Sequence, residues 1–257
     1  MTWILTQSAT QVDILKPQAK QIRIDDICHG LAHVCRFNGQ TRHHYSVAQH
    51  CLIVADIVPQ EHKLAGLLHD ATEAYLADIA RPIKLLMIEA AKRRNNAWME
   101  VLNLHALKPT DAWGYASSLR IFNDAEFNGL SILIDTYKQL EARMWVTICE
   151  RFDLDPELPD CVHEADMIAL ATERQQLMPP HPEPWACLEG VQPLNKAIPE
   201  WTPAYARQAF HHQLMELLAT AHRAKVFAQA EHELIHGTGT GTGSPAGLMS
   251  IAQEVKA

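Results

Sequence analysis

Apolar residues recur every three or four positions along most of this 257-residue chain, and this spacing constrains its fold more than any other feature. The segment that contains Ile24, Ile27, Leu31 and Val34 is one example. Prolines and glycines divide the pattern into segments of ordinary helix length. The sequence therefore predicts a chain of amphipathic helices that bury their apolar faces against one another.

The predicted elements follow from this spacing and from the residues that start or stop helices. Ser46 is a suitable N-cap for the helix "VAQHCLIVADIV", which Pro59 closes. The helix "EHKLAGLLHDATEAYLADI" stops before Pro82, because proline disfavours helical geometry in the residue before it. The remaining predictions are one or two strands within 3–15, a first helix from about Ile24 that ends before Asn38-Gly39, helices over about 85–107, 135–152, 163–178 and 203–236, and irregular chain over 108–131 and 179–202.

We therefore expect an all-α fold with a short N-terminal β ribbon and a single domain over residues 1–236. Residues 237–257, which include "GTGTGTGSPAG", should form a flexible tail, because glycine and small polar residues make too few stabilising contacts to offset the conformational entropy lost on ordering.

Charge and cysteine content exclude several classes of protein. A formal net charge of −8 argues against a surface that grips duplex nucleic acid, although a small anionic ligand in a local basic pocket stays open. The six cysteines form no C-x-x-C pair and no signal segment precedes them, so we expect reduced thiols and a cytoplasmic location. No apolar run approaches the ~18 residues of a membrane span, so we expect no membrane partner.

Four residues within apolar helical segments are candidate metal ligands: His50, His69, Asp70 and Asp166. An unpaired carboxylate in such surroundings costs several kcal/mol, so the two aspartates require a cation or many hydrogen bonds. Two imidazoles and two carboxylates would neutralise a divalent ion and leave open positions for water or a phosphoryl oxygen. The acidic Glu73 nearby is suited to orient or deprotonate that water.

The order His50, His69-Asp70, Asp166 resembles the H…HD…D signature of the HD-domain metal-dependent phosphohydrolases. More narrowly, "HDATEAYLADIARPIK" resembles the 5′-deoxynucleotidase branch and related phage enzymes, some of which remove triphosphate from dATP. The similarity covers residues 29–87 and returns at "DTYKQLEARMW" and "HEADMIALATE". It implies an HD-type helical bundle, in which residues near 88–133 form a helical insertion.

The resemblance also assigns roles. It makes His50, His69, Asp70 and Asp166 the metal ligands, Glu73 a contact to the metal-bound water, and Asp78 an acid beside the scissile phosphate. It implies that Arg36 holds phosphate, that Phe37 lines the sugar pocket where this branch commonly has Trp, and that Lys84 lies near the phosphates. Three alternatives stay open: Arg36 could cap the first helix, Lys84 could be solvated, and Glu73 could pair at the surface with Lys63 or Arg81.

The expected function is metal-dependent hydrolysis of a nucleotide, first a (deoxy)nucleoside 5′-monophosphate and second a dNTP cleaved to triphosphate. A cyclic-dinucleotide or alarmone hydrolase, a non-catalytic metal-binding module and a di-iron HD-type oxygenase are the alternatives. The oxygenase needs further histidine ligands before Asp166, and His105 is the candidate. We expect one divalent transition metal, namely Mn, Co, Fe, Ni or Zn with Mg as a further candidate, and a homo-oligomer, dimeric or larger.

Overall fold

The structure, a computed structural model, describes residues 2–105 and 125–236, and within these ranges the chain is predominantly helical. Two short strands, β1 (Trp3–Leu5) and β2 (Gln11–Asp13), precede the helices. The helices are α1 (Ile24–His33), α2 (Val47–Ile57), α3 (Lys63–Leu68), α4 (Glu73–Leu76), α5 (Arg81–His105), α6 (Ala125–Phe152), α7 (Asp160–Leu177) and α8 (Pro203–His236). The predicted all-α fold with a β ribbon is confirmed.

The β ribbon is an antiparallel pair in which Ile4 faces Val12. Its connecting turn is tied to α1, because the buried Asp26 carboxylate accepts hydrogen bonds from the Thr6 hydroxyl at 2.8 Å and the Ser8 hydroxyl at 2.7 Å. The Ser8 backbone N–H adds a third at 2.9 Å. These bonds satisfy a carboxylate that would otherwise be costly to bury.

Most helix predictions are confirmed, but several boundaries are wrong, among them the start of α7 at Asp160 rather than residue 163. α1 ends at His33, because Arg36–Gly39 forms a separate 3₁₀ turn. α5 begins at Arg81 rather than residue 85, because proline is tolerated in the first turn of a helix. α6 begins at Ala125, so the residues from there to 131, predicted to be irregular, are helical.

The prediction that His69 and Asp70 lie in the middle of one helix is also wrong. α3 ends at Leu68, and the chain passes through a tight turn before α4 begins at Glu73. Backbone hydrogen bonds in this turn join residues three apart, as from the Ala71 N–H to the Leu68 carbonyl at 2.8 Å. The apolar spacing concealed the turn, because Leu67, Leu68, Ala71 and Tyr75 stay buried throughout it.

The principal core lies among α1 to α4, the second half of α6 and the first part of α8. Its largest fully buried side chains include Ile27, Leu31, Leu67, Ile148 and Phe210. A second cluster joins α2 to α7 through Val54, Val58, Val162, Ala165 and Ala169. The two clusters hold α2, the turn after α3, and α7 together, and these are the elements that carry the candidate ligands.

The chain divides into two compact units, Met1–Leu218 and Ala219–Ala257, and every site discussed below lies in the first. The single domain predicted over 1–236 stays a prediction. The middle of the predicted insertion, 106–124, and the predicted flexible tail, 237–257, lie outside the described residues. Within the described ranges, no helix combines the length and the apolar character needed to cross a membrane.

Candidate metal centre

His50 enters the site from α2, whose start is fixed by a local hydrogen bond. The Ser46 hydroxyl accepts from the Gln49 N–H at 3.2 Å, as predicted for an N-cap. His50 lies in the first turn after this cap and is fully buried. Its ring is therefore held in place by the packing of α2 and by hydrogen bonding.

The turn after α3 supplies the adjacent His69 and Asp70. The His69 ring is oriented by Nδ1, which donates to the Gly66 carbonyl at 2.8 Å, so that Nε2 is the nitrogen left for a ligand. The His50 and His69 rings lie 5.3 Å apart between centroids. Asp166 reaches the same place from the middle of α7.

The structure brings all four predicted ligands together. Asp70 Oδ2 lies 3.6 Å from His50 Nε2 and 3.2 Å from His69 Nε2, and Asp166 Oδ1 lies 3.2 Å from His50 Nε2. Ligand atoms of His50, His69 and Asp166 all fall within 4.8 Å of one another, which makes them a possible metal-binding cluster.

A divalent metal fits this cluster because its nitrogens face the other candidate ligands. Nε2 of His50 and Nε2 of His69 are both buried, and they contact the carboxylates of Asp70 and Asp166. Cys51 also lies close to His69 and Asp70, but burial raises the pKa of its thiol to about 11, so it is a poor ligand beside the two carboxylates. The histidines and aspartates are the donor set that suits a borderline divalent ion.

Electrostatics keep the two aspartates ionised although burial opposes it. Burial alone would raise the pKa of Asp70, but His69, His50 and Arg36 outweigh it and lower the pKa far below the usual range. Asp166 is likewise buried, and its hydrogen bond and charge interaction with His50 lower its pKa to about 2. Both carboxylates are therefore available as anionic ligands.

Glu173, on α7, is a site residue that the sequence prediction missed. Its fully buried Oε1 accepts from His50 Nδ1 at 2.5 Å and from the Tyr45 hydroxyl at 2.8 Å. A carboxylate can only accept, so His50 carries its proton on Nδ1 and presents Nε2 to the cluster. Glu173 follows Asp166 by seven residues, a spacing that puts both on one helix face and could have identified it.

Arg36 lies against the cluster and is held there by two carboxylates. Its guanidinium is 3.5 Å from Asp70 Oδ2 and 3.3 Å from Glu173 Oε2, and only 12% of the side chain is exposed. Burial would lower the pKa of Arg36, but Glu173, Asp70 and Asp166 raise it above its usual range, so the cation is permanent. Arg36 is therefore engaged by the carboxylates of the site, and the alternative in which it caps the first helix is not what the structure shows.

Glu73 and Asp78 form a second acidic pair beside the ligands. Glu73 opens α4, is 5% exposed and leaves Oε2 buried without a hydrogen bond, so it is not the surface partner of Lys63 or Arg81. Burial raises the pKa of Glu73 well above the usual range, and Asp70 and Asp78 raise it further. Burial also raises the pKa of Asp78, against the opposing influence of Arg36 and Lys84.

Phe37 lies next to Arg36 in an unusual backbone conformation. Phe37 and Asn38 have φ values of 54° and 52°, a left-handed region that a non-glycine residue occupies at a cost of about 1–3 kcal/mol. The Arg36 guanidinium carbon lies 5.5 Å from the centre of the Phe37 ring. The strained turn thus sets the aromatic ring directly beside the buried cation.

Trp185, from the irregular segment before α8, completes this corner of the site. Its ring centre lies 6.0 Å from that of Phe37, with a tilt of 47° between the rings. On α7, the Arg174 guanidinium carbon lies 5.6 Å from the Trp185 ring centre, and Arg174 follows Glu173 in sequence. Aromatic contacts and the α7 backbone therefore link Trp185 to the residues that hold Arg36.

Comparison with known proteins adds two relatives, while a scan against models of protein families finds no match. The chain is 31% identical over 191 residues to the uncharacterized protein YfdR of Escherichia coli (strain K12), which is 74% of this chain and 81% of YfdR. It is 42% identical over 91 residues to the uncharacterized protein RCAP_rcc00048 of Rhodobacter capsulatus, covering 32% of this chain and 46% of that protein. Since the similarity to YfdR spans most of both chains, this protein belongs to the same family as YfdR.

Proposed function

We propose that this chain is a metal-dependent phosphohydrolase whose substrate is a nucleotide, in the first place a (deoxy)nucleoside 5′-monophosphate. The observation that carries the proposal is the position of the Arg36 guanidinium 3.5 Å from Asp70, itself in contact with both histidines of the cluster. A permanent cation beside a candidate metal centre is the arrangement that binding and hydrolysis of a phosphate ester require.

His50, His69, Asp70 and Asp166 are the residues that would hold the metal. A divalent ion such as Mn, Co, Fe, Ni, Zn or Mg supplies Lewis acidity toward a phosphoryl oxygen and lowers the pKa of water. Glu173 keeps the His50 ring in the tautomer that presents Nε2. The protein thus provides two neutral and two anionic donors in fixed positions.

Arg36 binds the phosphate and offsets the charge that develops on its oxygens during hydrolysis. Its ion pairs with Asp70 and Glu173 fix the guanidinium before substrate arrives, so little rearrangement is needed. Glu73, with a buried and unpartnered Oε2, positions the attacking water and accepts its proton. Asp78 lies in the same acidic surroundings and assists in this proton transfer.

Phe37 and Trp185 support a nucleoside rather than a simple phosphate ester. Both rings are half-buried, Phe37 lies beside the phosphate-binding arginine, and Trp185 contacts Phe37. Aromatic rings of this kind provide a surface on which a nucleobase or sugar packs. We infer that the pair forms the wall of the nucleoside pocket.

The proposal is tested by incubating the purified protein with dAMP and dATP in parallel, in Mn²⁺ or Co²⁺ and in EDTA. Metal-dependent release of phosphate from dAMP is the expected result. Release of triphosphate from dATP alone would favour the second candidate, a dNTP triphosphohydrolase. Metal binding without turnover of either nucleotide would favour a non-catalytic module.

Metal stoichiometry distinguishes the proposed phosphohydrolase from the remaining alternative, a di-iron oxygenase. One metal per chain by elemental analysis is expected, whereas two irons per chain would support the HD-type oxygenase.

We also propose a homo-oligomer, supported by the exposure of apolar Ile83, Leu85 and Leu86 at the start of α5, which a second copy would cover. Light scattering that finds only monomer would contradict this part of the proposal.

A further inference from the structure

A cavity lies between α2 and the irregular segment that precedes α8. Its volume is about 630 Å³, which is within the range of small-molecule binding sites. Its walls are mainly apolar and include Leu52, Ile53, Ile57, Ile198 and Trp201. None of the residues that line it is a candidate metal ligand, so this cavity is distinct from the metal centre.

The wall formed by the irregular segment is held in place by side chains of two helices. On α7, Gln176 Oε1 accepts from the Ile198 N–H at 2.7 Å, and Gln176 Nε2 donates to the Lys196 carbonyl at 2.9 Å. On α2, Asp56 accepts from the Lys196 ammonium at 3.0 Å. A wall fixed from both helices keeps the cavity formed before a ligand arrives, so binding requires little rearrangement.

Gln49 supplies a polar group in this apolar wall. Its Nε2 donates to the Pro199 carbonyl at 2.7 Å, and both residues line the cavity. Only 2% of Gln49 is exposed, and its Oε1 makes no hydrogen bond within the residues that the structure describes. The bond to Pro199 accounts for the amide nitrogen and leaves the oxygen as an unused acceptor. A buried acceptor without a donor destabilises the protein, which indicates a ligand that supplies the donor.

The charged residues at the cavity indicate that this ligand is uncharged. Lys196 and Asp56 line the cavity and pair with each other at 3.0 Å. Their side chains are 70% and 60% exposed, so water also screens them. An anionic or cationic ligand would have to break this pair to gain a partner, whereas a neutral ligand leaves it intact.

We propose that this cavity binds an uncharged, mostly apolar ring compound whose N–H group donates a hydrogen bond to Gln49 Oε1. Heteroaromatic rings with an N–H group combine the apolar faces and the single donor that the cavity requires. The Trp201 ring and the branched side chains of Ile53 and Ile57 provide surfaces on which such a ring packs. Binding here depends neither on the metal nor on nucleotide hydrolysis at the metal centre.

The test is a titration of the purified protein with indole, followed by NMR of the isoleucine methyl groups. Indole is apolar apart from one N–H, and 1-methylindole is the matched probe without this donor. We expect indole to shift the resonances of Ile53, Ile57 and Ile198, and to leave Ile27 and Ile148 of the principal core unchanged. 1-Methylindole should bind about fivefold more weakly, as for loss of one hydrogen bond between neutral groups.

Gln49→Met removes the acceptor and keeps a side chain of similar length. In this variant the two probes should bind with equal affinity, because the donor of indole has lost its partner. Gln176→Met is the matched control, since it also removes bonds to the irregular segment but keeps Gln49, and it should retain the fivefold preference for indole.

Three results would overturn the proposal. They are the absence of indole-induced shifts at Ile53, Ile57 and Ile198, equal affinity of the wild type for the two probes, and a preference for indole that persists in Gln49→Met. The first two need no variant, so the proposal stays testable even if Gln49→Met does not fold.

Discussion

Glu173 Oε1 lies 2.5 Å from Nδ1 of His50, and this contact joins the second turn beyond Asp166 on α7 to the first turn of α2. The same carboxylate reaches Arg36 through its other oxygen at 3.3 Å. One buried side chain therefore orients both a candidate ligand and the cation proposed to bind phosphate. Removal of this carboxylate should weaken both metal binding and substrate binding.

Glu173→Ala is expected to weaken metal affinity by about 10- to 100-fold, as found for carboxylates that support ligating histidines. Glu173→Gln keeps an oxygen that can accept from His50 and should recover part of this loss. Metal affinity is measured by competition with a chelator, and Glu164→Ala, an exposed position of the same helix, is the control. Equal affinity in Glu173→Ala and wild type would show that Glu173 does not support the ligand.

Trp185→Ala is expected to raise KM for dAMP by about tenfold, the effect of losing one base–aromatic stacking contact. Hydrolysis of 2-deoxyribose 5-phosphate, which has no base, should change little. Trp201→Ala is the matched control, because the Trp201 ring packs edge-on against Tyr205, with 4.8 Å between ring centres, whereas the ring beside Phe37 is that of Trp185. Equal loss with the base-free substrate would assign Trp185 a structural role.

Gly30→Ala tests how α1 supports the acidic pair. A Cβ at Gly30 would lie 2.9 Å from the Cβ and carbonyl oxygen of Ala74, the residue after Glu73. We expect the free energy of unfolding to fall by about 1–3 kcal/mol, as for overpacking of a close helix contact, and kcat to fall with it. Chemical denaturation measures the first effect, with the exposed His33→Ala as control. Wild-type stability in Gly30→Ala would mean that α4 moves aside freely.

Most of the helices could be predicted from the sequence, because apolar spacing and capping residues act locally. The four candidate ligands could be predicted because their residue types suit a divalent metal and their order resembles a known signature. Ser46 shows this best, since its predicted N-cap bond is present. The tight turn at His69 escaped prediction because the apolar residues around it stay buried in helical order.

Residues that act through long-range contacts were harder to predict. Glu173 precedes Arg174 in a polar stretch, which predicts an exposed side chain. Only its spacing from Asp166 indicates that it lies on the helix face that carries the candidate ligand. Trp185 lies in an irregular segment without periodicity, so its contact with Phe37 depends on how that segment folds over α7. Such contacts are fixed by tertiary packing, which a single sequence does not encode in its local pattern.

Whether this protein is a metal-dependent phosphohydrolase is tested most directly by measuring metal content and dAMP hydrolysis in the same samples of wild type and Asp70→Ala. We expect one divalent metal per wild-type chain and phosphate release that EDTA abolishes. Asp70→Ala should lose its metal, its activity or both, because Asp70 contacts both histidines and Arg36. An Asp70→Ala protein that keeps its metal and hydrolyses dAMP at the wild-type rate would show that this cluster is not the site of hydrolysis.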